Sequence, residues 1–463
     1  MKLLYKGDPR VVELAERLKL RPGTVYRLSH FVYPFETGEK VLIKNTLTRQ
    51  VYELDKNEWD ALKEGTLPEE TRDTLARFCF LVEKEYDEVS QYWLALNTLR
   101  ALKKKPKGIS YYTILTTTAC NARCFYCYEE GMRFRSMTTE TADAVAEFIS
   151  RTKIDGAPRI HWFGGEPLMG VPTISRICRI LRDKGVEFTS EITTNGTLLT
   201  PEIAQEAKEL WNLKKAQVSM DGAREDYEVR KRYVDPANCN YDAAMRAVEL
   251  FSDAGAFVAI RCNYDAENLP RIGEFFNDCR ERFKNRKNIQ VYTAQLFHSA
   301  DEQESCEQYV AAKAVEADYG KPSAGRSLIV DHDMRTSHCM ADLTGSSIII
   351  GTEGELHICE LELDAPPIGT VFDETPPAWP APLTGMADIC RDCCFLPDCT
   401  PFRKFRCPIV PISCKTQMIA DTESDLRKTL QEYEEKEKEA TAETGDGETA
   451  VSEDDSPHRD TLC

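Results

Sequence analysis

The chain has 463 residues, 42% of them hydrophobic, and a net charge of −18, which is enough apolar material for two or three domains with cores of their own. The acidic balance argues against an enzyme that tracks nucleic-acid phosphates along a basic groove, and no run is long and apolar enough to span a bilayer. Leu3-Leu4-Tyr5 between Lys2 and Lys6 offers no signal-peptide core, so a cytoplasmic location is expected, where 18 cysteines point to metal or catalysis rather than to disulfides.

Residues 1–105 read as a small α+β unit. A helix is expected near Val11–Leu18, β-rich runs at Thr24–Phe35, Lys40–Lys44 and Gln50–Leu54, and helices at Asn57–Lys63 and Glu70–Phe80. Residues 106–325 alternate short β-rich runs with helical segments. The strands are expected at 111–117, 159–163, 188–193, 215–219, 257–262 and 289–295. Ala142, Val145, Ala146 and Ile149 give the apolar face of the first intervening helix, and Thr200-Pro201-Glu202 gives the start of a later one. Six such units imply an α/β fold built on a parallel sheet, curved or partly closed into a barrel. A cysteine-dense, irregular segment follows at 326–437, with a charged helix running to about Ala440. The tail 438–463 lacks core-forming residues and is expected to stay disordered. From residue 431 onward there are twelve acids against three bases, so half of the net charge lies in this final stretch.

Chemistry in such barrels gathers at the C-terminal ends of the strands, and the unusual residues fall there. Cys120, Cys124 and Cys127 follow the first strand, Gly164-Gly165-Glu166-Pro167 the second, Thr193-Thr194-Asn195-Gly196 the third and Ser219-Met220-Asp221-Gly222 the fourth. Three thiolates on one short loop can hold three irons of a cubane [4Fe-4S] cluster and leave the fourth iron open, whereas a structural zinc site wants four closed ligands. Gly164 and Gly165 allow close backbone approach to a ligand, and Glu166 offers a carboxylate to an ammonium group. The plain alternatives are a tight turn at the glycines and a common turn pair at Asn195-Gly196.

The spacing Cys120-x3-Cys124-x2-Cys127, with Tyr126 before the last cysteine and Gly164-Gly165-Glu166-Pro167 after the next strand, resembles the radical S-adenosylmethionine (radical SAM) superfamily. The resemblance implies a partial (βα)6 barrel, one [4Fe-4S] cluster whose open iron chelates S-adenosylmethionine, and reductive cleavage of that cofactor to a 5'-deoxyadenosyl radical that abstracts hydrogen from substrate. Tyr126, Gly164, Gly165, Glu166, Thr194, Asn195 and Arg230 would then meet the cofactor, Arg230 at its carboxylate. Downstream, Cys339, Cys359, Cys390, Cys393, Cys399, Cys407 and Cys414 resemble the SPASM extension, which holds two auxiliary [4Fe-4S] clusters. Carried over, Cys339, Cys359 and Cys407 would hold the first, and Cys390, Cys393, Cys399 and Cys414 the second. The spacing from Cys399 to Cys407 is longer than the family's, and no cysteine shortly precedes Cys339, so the first auxiliary cluster would keep an open iron. A zinc knuckle on Cys390, Cys393, Cys399 and a later cysteine is the alternative.

SPASM proteins mostly modify peptides, and many carry a small winged-helix-like domain that pairs an edge strand with a leader peptide. Here the run Lys40–Leu54 is expected to supply that edge. The resemblance thus implies a maturase of a ribosomally made precursor peptide, forming thioethers from cysteine, with an electron donor such as flavodoxin or ferredoxin as a second partner. It implies neither a nucleic-acid nor a membrane partner. A sulfatase-maturing oxidase that makes formylglycine is a second reading, in which the acid after Cys359, Glu360, is the catalytic base. Peptide epimerisation and carbon-carbon cross-linking fit the same clusters, and a non-catalytic iron-sulfur or zinc module is the reading from a different class.

Overall fold

The structure is a computed structural model that describes all residues except 8, 103–106, 128, 130, 132, 297–301, 320–344, 361–362, 380–390, 399–413 and 446–463. It divides into two compact units: Met1–Tyr86 together with the chain from Asp421, and Asp87–Ala420.

The first unit is built on a four-stranded antiparallel sheet made of β1 (Lys2–Tyr5), β3 (Val32–Thr37), β4 (Lys40–Asn45) and β5 (Val51–Asp55), in the order β1-β5-β4-β3. A two-stranded ribbon of β2 (Tyr26–Leu28) and β6 (Leu81–Glu83) stands beside it. One face packs Val41, Ile43, Tyr52 and Leu54 against Trp59, Leu62, Leu75 and Phe80. Those partners come from or directly follow the helices Lys56–Glu64 and Glu69–Arg77. The first of these begins at a reciprocal cap: Asp55 accepts from Glu58 N, and Glu58 accepts from Asp55 N. The opposite face packs Phe35, Leu42 and Val51 against Leu426 of the long helix Cys414–Gly445, with Leu430 beside them. The Tyr33 hydroxyl donates to Glu423 of the same helix at 2.7 Å.

Two expectations are corrected here. β4 and β5 lie inside the sheet, each paired on both sides, so the run Lys40–Leu54 offers no free edge; the edges are β1 and β3. The reason is that Val41, Leu42, Ile43 and Val51 are buried on both faces, which suits interior strands. The charged helix also runs on to Gly445, and its apolar positions from Asp421 on serve the N-terminal sheet rather than the cysteine-dense segment.

The second unit has an eight-stranded sheet in which β7 (Tyr111–Leu115), β8 (Arg159–Phe163), β9 (Thr189–Thr194), β10 (Leu213–Met220), β11 (Phe257–Tyr264) and β12 (Ile289–Gln295) run parallel in sequence order. These are the six expected strands with small changes of length. The cysteine-dense segment adds two more. β13 (Ser347–Ile350) pairs parallel with β7, and β14 (Leu356–His357) closes a hairpin on β13. The sheet is open, with β12 and β14 at its edges. Gly354, at φ +86, turns that hairpin, and a Cβ there would come within 2.7 Å of Val371.

Side chains alternate sharply across the sheet. Ile160, Trp162, Ile192, Val218 and Ile260 point to one side, where they join Val145, Ile149, Ile177, Val248, Phe251 and Phe275 from the crossover helices in a single buried cluster. That packing fixes the register, because a slip of one residue would turn the apolar set outward. The other side carries polar and charged residues, among them His161, Glu191, Gln217 and Arg261, all half-buried.

Candidate functional site

The three cysteines follow β7 on a loop whose base is clamped by the loop after β8. Gly165 N donates to Thr117 O at 3.0 Å and Glu166 N to Ala119 O at 2.9 Å. Neither glycine tolerates a side chain. A Cβ on Gly164, which sits at φ +118, would lie 2.3 Å from Thr117 O, and one on Gly165 would lie 2.4 Å from Ala119 O and 2.6 Å from Thr118 O. On the Cβ side, then, the close approach that requires glycine is that of the cysteine loop itself.

Glu166 is fully buried and ties the loops after β8 and β9 together. Its Oε1 accepts from Leu168 N at 3.0 Å and from Thr194 Oγ1 at 2.6 Å, and its Oε2 accepts from Asn195 N at 2.8 Å. Burial pushes this carboxyl up, and the three donors work against that push. Asn195 then reaches the cysteine loop: its Nδ2 donates to Asn121 Oδ1 at 2.8 Å, while Asn121 Nδ2 donates to Thr197 Oγ1 at 2.9 Å. Cys120 is therefore flanked by residues that the second and third strands position.

The far side of the loop rests on a buried polar network. Tyr126 donates to Asp221 at 2.6 Å, Lys231 Nζ donates to the Tyr126 hydroxyl at 3.0 Å, and Asn263 Nδ2 donates to Asp221 Oδ1 at 2.9 Å. Asp221 and Lys231 are 0% and 3% exposed and stand 3.5 Å apart, a fully enclosed ion pair. Burial alone would lower the Lys231 ammonium, but Asp221 and then Cys124 carry it above its usual value. Burial and the Asp221 charge together push the Tyr126 phenol well up, so it remains a proton donor. Lys231 also holds the loop through its carbonyl, which accepts from Arg123 N at 2.9 Å and from the Cys124 thiol at 3.8 Å.

The three thiols are half-buried. Burial, reinforced by the Glu166 charge, pushes Cys120 up to about 12, and burial is also the main cause of the upward shifts of Cys124 and Cys127. Among the described residues, no three His, Cys, Asp or Glu side chains converge on the position of a single ion. Thiols that each take a separate iron of one cluster have no such requirement, and the donor set, three cysteines on a braced loop, fits an iron-sulfur cluster. Loading it would release the thiol protons.

The structure brings Cys120, Cys124, Cys127, Tyr126, Glu166, Thr194 and Asn195 into one connected region at the strand ends. Arg230 lies nearby but is committed elsewhere. It is 5% exposed at the side chain, pairs with Asp265 at 2.6 Å and with Glu267 at 3.4 Å, and stacks on Phe125. Glu360 lies near the start of β7, close enough for its charge to push the Tyr111 phenol upward, in addition to burial and the hydrogen bond to Glu191. Of the C-terminal cysteines, Cys359 and Cys393 are half-buried. Cys339, Cys390, Cys399 and Cys407 lie outside the described residues, as does the side chain of Cys414. Asn121, Asp221, Lys231 and Asn263 were not expected as site residues. Asp221 was visible as a polar residue at a strand end, but nothing in the sequence around Lys231 separates it from the charged helix surface to which it belongs by composition.

Known proteins agree with this arrangement. Residues 114–269 match the radical SAM superfamily. The chain is 30% identical over 164 residues to an Fe-coproporphyrin III synthase of Methanosarcina barkeri, covering 35% of this chain and 38% of that protein. It is 28% identical over 181 residues to a probable GTP 3',8-cyclase of Methanococcus maripaludis, covering 38% and 56%. The chain thus spans about half or less of the length of these relatives. A solved structure of native anSMEcpe with bound AdoMet superposes with a TM-score of 0.56 at 16% identity, covering 70% of this chain and 99% of that one. The paired loops, the braced cysteines and these matches have one reading: the chain carries a radical SAM domain over residues 114–269.

Proposed function

We propose that this chain holds a [4Fe-4S] cluster on Cys120, Cys124 and Cys127, binds S-adenosylmethionine beside it, and matures a ribosomally synthesised peptide by forming thioethers from its cysteines. When bound, the cluster and cofactor supply a one-electron route to hydrogen abstraction from an unactivated carbon. The chain's own residues do the rest. Glu166, held by three donors with its Oε2 taking only Asn195 N among the described residues, offers a buried carboxylate to an ammonium group. Asn121, Asn195 and Lys231 fix the loop, and the apolar packing behind the sheet fixes the strands that carry it.

The observation that carries this reading is the double bracing of the cysteine loop, on one side by Glu166 and Asn195 and on the other by Lys231 and Asp221. The peptide substrate is supported by a structure of the same fold, native anSMEcpe with bound AdoMet and Cp18Cys peptide, with a TM-score of 0.55. The two auxiliary clusters, the leader peptide and an electron donor such as flavodoxin or ferredoxin are part of this proposal, and Cys359 and Cys393 are its described auxiliary ligands. Oxidation of a protein cysteine or serine, with Glu360 as base, is the second reading. It rests on Glu360 directly following Cys359 in the sequence.

The test begins with Cys120, Cys124 and Cys127 replaced together by Ala. Anaerobically reconstituted wild type should release 5'-deoxyadenosine under reduction, and the triple variant should release none; release by the variant would refute the cofactor assignment. Co-expression with a cysteine-rich precursor peptide should remove two hydrogen atoms per thioether formed, read by mass spectrometry. A carbonyl product in place of cross-links would favour the second reading.

A further inference from the structure

The side of the sheet turned away from the helices carries Arg159, Lys215 and Arg261 against the single strand carboxylate of Glu191, a cationic face in a chain of net charge −18. Two of the cations are stabilised where they stand, one by a ring and one by solvent. Arg159 lies over the Tyr111 ring at 5.6 Å, and Lys215 is exposed to solvent. Arg261 differs. It is half-buried, yet among the described residues it makes no hydrogen bond, ion pair or ring contact, and its Nε is fully buried without a partner.

A guanidinium with a buried, unpaired N–H has lost water without gaining an acceptor, an arrangement that is costly unless something completes it. Its neighbours at the C-terminal sites show the contrast, since Arg230 is committed to Asp265 and Lys231 to Asp221. Arg261 also sits two residues along β11 from the network that braces the cysteine loop. Its register partners are Ser219 on β10 and Tyr292 on β12, and Asn263, two residues on along the same face, is hydrogen-bonded to Asp221 in the network under Tyr126. Two residues of strand span about 7 Å. The fork of a guanidinium matches one acceptor geometry best among the groups that cofactor or peptide would bring, a carboxylate taken by two parallel hydrogen bonds.

We infer that Arg261 is a carboxylate-binding residue on the inner face of the sheet, its ligand being either the methionyl carboxylate of S-adenosylmethionine or an acidic group of the substrate. The inference rests on the proposed function, because it takes the strand mouth as the place where cofactor and substrate meet.

The test uses the cluster-loaded full chain, with Arg261→Gln and Arg261→Lys compared with wild type by anaerobic calorimetry. Two kinds of probe are titrated: S-adenosylmethionine, and, in its presence, an acetylated and amidated hexapeptide with two Glu residues beside its Gln counterpart. If the cofactor supplies the carboxylate, Arg261→Gln should weaken S-adenosylmethionine between about 10- and 100-fold. If the substrate supplies it, cofactor affinity should stay unchanged while wild type prefers the Glu peptide and Arg261→Gln loses that preference. Iron content and circular dichroism report whether Arg261→Gln folds. Should it not, Arg261→Lys carries the test, since it keeps the charge and stem but loses the fork, and about a tenfold loss is expected. Wild type that binds S-adenosylmethionine while neither probe responds to the substitutions overturns this inference alone, whereas wild type that fails to bind S-adenosylmethionine overturns the proposed function.

Discussion

Replacing Lys231 by Met isolates the energetic role of the enclosed ion pair. Lys231 and Asp221 are 3.5 Å apart and both are buried. At an effective dielectric of about 20, that separation is worth about 5 kcal/mol of attraction. The substitution keeps most of the side-chain volume but leaves Asp221, among the described residues, with the Tyr126 hydroxyl and Asn263 amide as hydrogen-bonding side chains and the Arg230 charge at longer range. Removing one partner of a buried pair costs about 3–5 kcal/mol, and the surviving donors place the cost at the lower end, about 3 kcal/mol. Urea unfolding followed through Trp162 and Trp211, both buried in this unit, should show a midpoint lower by about 1 M at a slope of about 3 kcal/mol per molar. Adding Asp221→Asn should restore more than half of the loss, because the orphaned charge is then gone. An unchanged midpoint for Lys231→Met, or a double variant no more stable than the single one, would refute the reasoning.

Gly165→Ala would bring a methyl group to 2.4 Å from Ala119 O, so the cysteine loop must shift, at about 1–3 kcal/mol; reconstituted iron should fall while far-UV circular dichroism stays as in wild type, and full iron loading would count against the clamp. His161 is held down to about 4 by burial, from 6.5 when unfolded. Between those values the unfolded chain binds the extra proton, so stability should fall as pH drops from about 6.5 to about 4, and His161→Gln should flatten that part of the profile in urea midpoints taken across the range. A profile equally steep in the variant would assign the acid sensitivity to other groups.

The central sheet was legible because its signals are local. Each strand from Tyr111 to Gln295 is a short β-rich run bounded by turn residues, and each crossover helix carries a 3.6-residue apolar stripe. The cysteine loop was legible from spacing alone. Other features depend on contacts across hundreds of residues. Ser347–Ile350 reads as another short apolar run, and nothing local says that it extends the sheet beside β7. Lys40–Leu54 reads locally as β-rich runs with no sign of their place in the sheet, and the burial of Leu42 and Val51 comes from Leu426, far along the chain. Lys231 sits in a helix rich in charge, and only the loop it meets from Arg123 to Tyr126 turns it into a buried anchor. Gly164 and Gly165 were legible as residues needing space, though the atoms that fill the space belong to the chain.

The helix from Cys414 to Gly445 has a consequence for how the protein is made. Tyr33 and Glu423, bonded in the finished fold, are separated by 390 residues. At about 5–20 residues per second, the ribosome needs roughly 20–80 s to deliver the second after the first. Throughout that interval Phe35, Leu42 and Val51 have no Leu426 to cover them, while the whole of the cysteine-bearing unit is being synthesised and can collapse on its own sheet. The first-made sheet is therefore among the last parts of the molecule to be finished. A chain interrupted before residue 421 would display an apolar strand surface to chaperones and proteases, and so be distinguished from a complete one by the face it cannot cover.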